Sequence, residues 1–182
     1  DELGYSNFMM DMLNEGTRKY SSLQFDEVLD SLGSNLGFGS GLDTSYATVS
    51  SLKTNLEETL DLAREALIHP TFPQKEIDRI KKQTLASIVQ EENRPAAIAY
   101  RNIGKLLYGD NHPYGKPLTG SGISATISDI TREDVIAVHN RAINPANLTF
   151  AVAGDINLDE LVEMLEVKFG NWSDDSNPDL KI

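Results

Sequence analysis

Apolar residues recur at helical spacing over seven stretches of the chain, most of them bounded by residues that start or stop helices. Ser21 or Ser22 precedes the second stretch, Gly33 follows it, and Thr131 with Asp134 has the pattern of a capping box. The predicted helices are 6–14, 21–32, 55–68 (with Asn55 as its cap), 74–93, 95–109, 131–142 and 157–170 (with Asn157 as its cap). The pattern therefore predicts a mainly helical domain.

Two neighbouring segments instead have the composition of β-strands. Residues 35–41 (NLGFGSG) are rich in glycine, residues 44–52 (TSYATVSSL) are rich in β-formers, and a turn at 42–43 joins them into a predicted hairpin. Residues 148–153 (LTFAVA) predict a short buried strand. The order of elements predicts an α+β fold, with several helices packed on one face of an antiparallel sheet. Because this sheet is thin, we expect further strands before residue 1.

The length of 182 residues suits one compact domain. We assign residues 1–172 to this domain, with its opening strands missing, and residues 173–182 to a polar tail or a linker to a following domain. No apolar run approaches the about 18–20 residues that a membrane span needs, so we predict no membrane insertion.

Composition and charge exclude several classes of function. The net charge is −12, and no cluster of Lys and Arg offers a surface for nucleic acid. The absence of cysteine excludes disulfides, thiolate zinc sites and cysteine nucleophiles, and it leaves the compartment open. The sequence contains neither a G-x-S-x-G nucleophile elbow nor a G-x-x-x-x-G-K-[ST] phosphate loop.

An ordered set of short motifs resembles the pitrilysin/insulinase (M16) family of metallopeptidases. Residues 4–17 (GYSNFMMDMLNEGT) resemble the family segment that contains glycine, His-x-x-Glu-His, Met-Leu and Gly-Thr in that order. The likeness continues at 29–34 (LDSLGS), 70–72 (PTF), 108–117 (YGDNHPYGKP), 144–147 (NPAN), 152–155 (VAGD) and 169–172 (FGNW). The likeness covers nearly all of the chain. It implies a domain in which several helices pack against an antiparallel sheet. In the family, two such domains form half of a clamshell around a peptide chamber.

The resemblance also shows which chemistry is missing. In active relatives the two histidines bind zinc, the glutamate is the general base, and a glutamate from the long helix is the third ligand. The corresponding positions here hold Asn7, Met10 and Asp11, with Ser87 on the predicted long helix. Met10 cannot accept a proton from water. The resemblance therefore implies a non-catalytic domain with no metal and no cofactor of its own, and it places the zinc in a catalytic partner or half.

Helical spacing puts these positions of the first helix on one side, opposite Phe8 and Met12. We therefore expect the side formed by Asn7, Met10, Asp11 and Asn14 to face a cleft or solvent. A residual cation site built from Asp11 with Glu15 or Glu91 remains a minor alternative. The histidines are far apart in sequence, and we interpret each as structural: His69, His112 and His139.

The glycine-rich strand is the best candidate for a binding function. In the family the matching strand is an exposed edge that pairs with the backbone of the substrate, and backbone pairing gives affinity without demanding a particular sequence. The predicted peptide-binding residues are Leu36, Gly37, Phe38, Gly39 and Ser40. The alternative is an internal hairpin strand whose glycines only relieve crowding.

The leading hypothesis is a non-catalytic domain or subunit of an M16-type zinc peptidase, which completes the peptide chamber beside an active zinc-bearing half. Its expected partners are a catalytic M16 domain or subunit and a peptide substrate, with homodimer and heterodimer both open. Two alternatives remain: an assembly subunit with no part in proteolysis, and an active metallopeptidase with an unrecognised site. The compartment stays unknown, with the bacterial periplasm or envelope slightly favoured over the cytoplasm.

Overall fold

The computed structural model describes residues 2–172, so the predicted tail at 173–182 lies outside the described residues. Within them the helices are α1 (Tyr5–Asp11), α2 (Ser22–Leu32), α3 (Leu56–Ile68), α4 (Gln74–Glu92), α5 (Pro95–Tyr108), α6 (Ser124–Asp129), α7 (Arg132–Ala142) and α8 (Leu158–Phe169). The strands are β1 (Asn35–Ser40) and β2 (Ser45–Ser50). Between residues 2 and 172, none of the helices combines the length and the apolar composition that a membrane span requires.

Polar side chains set where several helices begin. The Ser21 hydroxyl accepts from the Gln24 amide at 3.4 Å, and the Thr131 hydroxyl accepts from the Asp134 amide at 3.2 Å, which confirms both predicted caps. Asn157 also caps its helix, as predicted. Asn55 lies at the N-cap position of α3, as predicted, but its side chain bonds to no amide of that helix and instead donates to the Leu32 carbonyl at 2.8 Å. Asn55 therefore ties the start of α3 to the end of α2.

β1 and β2 form an antiparallel hairpin in which Phe38 lies opposite Ala47 and Gly39 opposite Tyr46. A side chain at Gly39 would meet the Tyr46 hydroxyl at 2.5 Å, so glycine there leaves room for the tyrosine ring across the strand. α1 and α2 pack against β1, and α3 packs against β2. The predicted α+β fold, with helices on one face of an antiparallel sheet, is confirmed.

The core consists of two apolar clusters that meet at β1. The larger cluster surrounds α1 and includes Phe8, Met9, Met12, Leu13, Ile77, Val135 and Val138. The smaller one lies between α2 and α3 and includes Phe25, Leu29, Leu36, Leu62 and Ala66. Phe38 packs against both clusters, so β1 is the element that joins them.

Two parts of the chain differ from the prediction. Residues 148–153 form no strand in the described structure, and Leu148, Phe150 and Val152 are 38%, 43% and 49% exposed rather than buried. A strand forms only beside a neighbour, and here the described sheet consists of β1 and β2 alone. The short helix α6 was not predicted, because it has six residues and its start carries no side-chain cap.

Candidate functional site

α1, α4 and the loop at 119–121 line an open cavity of about 460 Å³. The segment before α1 is tied to α6, because the Thr126 hydroxyl donates to the Leu3 carbonyl at 2.7 Å. Three of the four positions that the resemblance matches to the zinc chemistry of active relatives line the cavity: Asn7, Asp11 and Ser87. The other polar side chains of the lining belong to Glu15, Gln83, Thr84, Glu91, Thr119 and Ser121. The structure therefore brings together residues that the sequence separates by 80 positions, from 7 to 87.

The fourth position, Met10, does not face this cavity. Its side chain lies in the larger core cluster, is only 1% exposed and lines a second cavity with Ser6 and Tyr46, so the prediction that it shares one cleft or solvent-facing side with Asn7 and Asp11 is wrong. The reason is the environment of α1, which packs against β1, α4 and α7. A helix enclosed on several sides buries residues that a single-faced helical pattern assigns to the surface.

Asn7 connects three elements of the site. Its carboxamide oxygen accepts a hydrogen bond from the Ser40 amide of β1 at 3.0 Å, and its carboxamide nitrogen lies where a side chain at Gly120 would be. Gly120 has φ of 76°, a conformation that favours glycine for a second reason. Asn7 thus holds the end of β1 against α1 and lies close to the 119–121 loop, and its oxygen already has a donor.

Asp11 has no basic partner among residues 2–172. Although it keeps an exposed surface at the mouth of the cavity, desolvation by the surrounding protein and then repulsion from Glu15 raise the pKa of its carboxyl from 3.8 to about 6. The two other carboxylates of the lining each have a basic partner. Glu15 pairs with Arg79 and accepts from the Ser22 hydroxyl at 2.8 Å. Glu91 pairs with Arg101 at 2.6 Å.

The Glu91–Arg101 pair belongs to a network that includes two residues of the cavity lining, Glu91 and Ser121. The Arg101 guanidinium also donates to the Ser121 hydroxyl at 3.0 Å and to the Gly122 carbonyl at 2.8 Å. The Ser121 hydroxyl in turn donates to Glu91 at 2.8 Å. Sequence reasoning missed Arg101, whose one signal is a basic residue within an otherwise largely apolar helix. The network ties the loop after α5 to the end of α4.

The residues of the cavity do not fit zinc. Protein zinc sites use thiolates, imidazoles and carboxylates. Here the first ligand position is an amide oxygen already bonded to Ser40, the second is the lone Asp11 carboxylate, and the third is the Ser87 hydroxyl. Because Glu15 and Glu91 are matched by arginines, neither is free to join Asp11 around a cation. No group of three or more His, Cys, Asp or Glu able to hold a metal occurs between residues 2 and 172.

The histidines lie apart, each with a local contact. His139 contacts the Leu67 carbonyl through Nε2 at 2.8 Å and packs edge-on against Phe72. His112 stacks on Tyr108 with ring centroids 4.9 Å apart. Burial, followed by the nearby Arg18, lowers the pKa of His69 at the end of α3. The side-chain contacts of His112 and His139 agree with the structural roles predicted for them.

The predicted peptide-binding strand lies beside the cavity. The Ser40 amide points away from β2 toward Asn7, so the alternation of an antiparallel ladder places the backbone groups of Leu36 and Phe38 on the same outer edge. The side chains of Leu36 and Phe38 point into the core, whereas Gly37 and Gly39 lie on the opposite face. The predicted strand and the degenerate zinc positions therefore meet at Asn7 and Ser40.

Comparison with known proteins places this arrangement in a family. The sequence model of the insulinase family, peptidase family M16, matches residues 1–122, and that of the peptidase M16 inactive domain matches residues 129–181. This chain belongs to peptidase family M16. As an M16 chain it combines the family framework with an inactive-type domain.

Individual M16 relatives extend far beyond the part matched here. An uncharacterized zinc protease of Rickettsia felis is 26% identical over 171 residues, which are 94% of this chain and 41% of that protein. The non-peptidase homolog YmxG of Helicobacter pylori is 23% identical over 165 residues, which are 91% of this chain and 38% of the relative. The chain thus spans about two fifths of the length of these curated relatives.

Solved M16 structures share the fold. The peptidase M16 inactive domain from Pseudomonas fluorescens superposes with a TM-score of 0.83 at 29% identity, covering 90% of this chain and 40% of that one. The periplasmic protease PqqL from Escherichia coli gives a TM-score of 0.86 at 18% identity, covering 100% of this chain and 20% of that one. The M16 fold therefore recurs here as one part of larger proteins.

The raised pKa of Asp11 predicts a pH-dependent stability. Because the folded state favours the protonated carboxyl, this group's contribution is complete below pH 4 and is lost as the pH rises through about 6. We expect Asp11→Asn to stabilise the protein at pH 8 by about 1 kcal/mol, a value discounted because Asp11 is partly solvated. Urea unfolding between pH 4 and pH 8 measures this gain. An equal gain at every pH would contradict the argument, and Glu92→Gln on the exposed side of α4 controls for net charge.

Proposed function

We propose that this chain is a non-catalytic M16 domain that completes a peptide chamber beside a zinc-bearing M16 half or subunit. The observation that carries this proposal is the set of residues at the positions of the zinc chemistry. Asn7, Asp11 and Ser87 line one cavity, Met10 is part of the core, and the surrounding framework is retained. The zinc of the assembly is then held by the partner.

The size of the relatives supports a partner. In each solved structure named above this fold is a minor share of a longer chain, and in PqqL it corresponds to 20% of the protein. Residues 1–172 form the domain in this proposal, and residues 173–182 form a polar tail or a linker. The description of PqqL as periplasmic supports the periplasm or envelope as the compartment.

The outer edge of β1 is the part of the domain that contacts the peptide in this proposal. Strand addition to a sheet edge recognises an unfolded segment through its backbone. The outward groups of Leu36 and Phe38 are continuous with the cavity through the Ser40–Asn7 contact. A peptide along this edge would lie in the chamber wall without meeting a catalytic group.

Hydrogen exchange tests this contact within the hairpin itself. An unstructured fluorescein-labelled peptide of about 15 residues is titrated by anisotropy, and amide exchange is then followed by NMR at saturation. We expect the amides of Leu36 and Phe38 to gain protection. Gly37 and Gly39 are internal controls, because their amides point toward β2.

The outcomes distinguish the functions considered. Protection confined to the outward amides supports the chamber role. Absence of binding, or protection elsewhere, would contradict it and leave the assembly subunit as the better account. Hydrolysis of the peptide that a chelator abolishes would establish an active metallopeptidase instead.

A further inference from the structure

The cavity between α1 and α4 has one unneutralised charge. Of its three carboxylates, Glu15 pairs with Arg79 and Glu91 pairs with Arg101, whereas Asp11 has no basic partner in the described chain. Asp11 stands at the mouth, where an incoming cation would reach it. The cavity thus carries one anionic group available to a ligand, rather than a cluster of acids.

The rest of the lining suits a long side chain with a charged end. Phe8 and Ile80 are apolar lining residues that would contact methylene groups. Thr84 and Ser87 offer side-chain oxygens that accept hydrogen bonds, whereas the Gln83 oxygen already accepts one from Arg79 at 3.2 Å. Lysine and arginine have this amphipathic character, because their apolar stems pack against apolar groups while their ends seek polar ones. The volume of about 460 Å³ leaves ample room for either.

The position of β1 allows a side chain of a bound peptide to reach the cavity. Side chains of a strand alternate between its two faces, so a peptide along the outer edge of β1 sends every second side chain toward α1. Asn7 is bonded to Ser40 at 3.0 Å and itself lines the cavity. A residue of the peptide beside Ser40 therefore lies at the entrance of the cavity.

We propose that this cavity binds the side chain of a lysine or arginine in a peptide lying along β1, with Asp11 as its anionic partner. The site of a lost metal ion is then a specificity pocket for a basic residue. This inference rests on the proposed function, since it requires the peptide to lie on the β1 edge. It assigns the domain a preference among peptides that backbone pairing alone would not provide.

Matched peptides test the preference. Three unstructured peptides identical except for one central residue (lysine, norleucine or glutamate) are compared by fluorescence anisotropy. A charge-assisted hydrogen bond to a partly solvated carboxylate is worth about 1–1.5 kcal/mol, so we expect lysine to bind about five- to tenfold more tightly than norleucine. Glutamate should bind more weakly than norleucine, because it meets the charge of Asp11.

Two variants and a control locate the effect. Asp11→Asn should make the lysine and norleucine peptides bind equally. Ser87→Lys should also remove the preference, because it places an amine in the cavity from the wall formed by α4 while Asp11 is retained. Glu92→Gln, which removes an α4 carboxylate outside the cavity, should keep the full preference. Circular dichroism confirms that each variant is folded.

The outcomes separate this inference from the one on which it rests. If all three peptides bind the wild type equally and protect the outward amides of β1, the basic pocket is refuted and the chamber role stands. A lysine preference that persists in folded Asp11→Asn also refutes the pocket. If no peptide binds, the chamber role and the pocket both fail.

Discussion

Replacing Arg101 with methionine should lower the free energy of unfolding by about 3 kcal/mol, the scale for removing one partner of a buried ion pair. The Arg101 side chain is 8% exposed and that of Glu91 is 23% exposed. Without the guanidinium, Glu91 keeps only the Ser121 hydroxyl, and the Gly122 carbonyl loses its donor. Urea unfolding at neutral pH gives the difference directly.

Arg94→Met is the matched control for this change. Arg94 is exposed where α5 begins, so its loss should change stability by less than about 0.5 kcal/mol. The double variant Glu91→Met with Arg101→Met should recover part of the loss, because it leaves no unpaired charge. A loss below about 1 kcal/mol for Arg101→Met would contradict the role given to this network.

Placing a glutamate at the position of the general base should be strongly destabilising. Met10 is 1% exposed within the larger core cluster, and a carboxylate there would lose its hydration. We expect Met10→Glu to cost about 4 kcal/mol, whereas Met10→Leu, which keeps the volume and polarity, should cost less than about 1.5 kcal/mol. Thermal and urea unfolding of the two variants measure the contrast.

The difference in stability between Met10→Glu and Met10→Leu shows whether a general base could be restored at this position. If Met10→Glu were as stable as Met10→Leu, the side chain would face the cavity and the burial described here would be incorrect. If it is destabilised as expected, the base cannot be restored by one substitution, since the core has adapted to an apolar residue at this position.

Much of the fold could be predicted from sequence because its signals are local. The residues of each capping pair, Ser21–Gln24 and Thr131–Asp134, are three positions apart, so the sequence alone identifies both helix starts. The hairpin is similarly local. Asn55 shows the limit, because its side chain bonds to Leu32 from the preceding helix rather than to its own helix.

The remaining errors come from tertiary context. Met10 is buried because β1, α4 and α7 enclose α1, which no pattern within seven residues reveals. The segment 148–153 has the composition of a strand, but strand formation depends on a neighbour. The hydrogen bonds of Arg101 form because the loop after α5 folds back over α4. In the sequence, an arginine within α5 is the one feature that indicates them.

The family resemblance, rather than the local sequence pattern, predicted which residues line the cavity. Asn7, Asp11 and Ser87 were expected to correspond to one site through the family resemblance, and the structure places all three around one cavity. Which of their neighbours are charged and paired could not be read from the sequence. The pairing of Glu15 with Arg79 and of Glu91 with Arg101 leaves Asp11 distinct from the other carboxylates.

The central claim is that this M16 domain has lost its zinc chemistry, and zinc stoichiometry tests it most directly. The purified protein is saturated with zinc, desalted and measured by elemental analysis. The amide, hydroxyl and lone carboxylate at the ligand positions predict less than about a tenth of an equivalent. A content near one equivalent would contradict the account, because it would mean that the chain holds a metal site built from other residues.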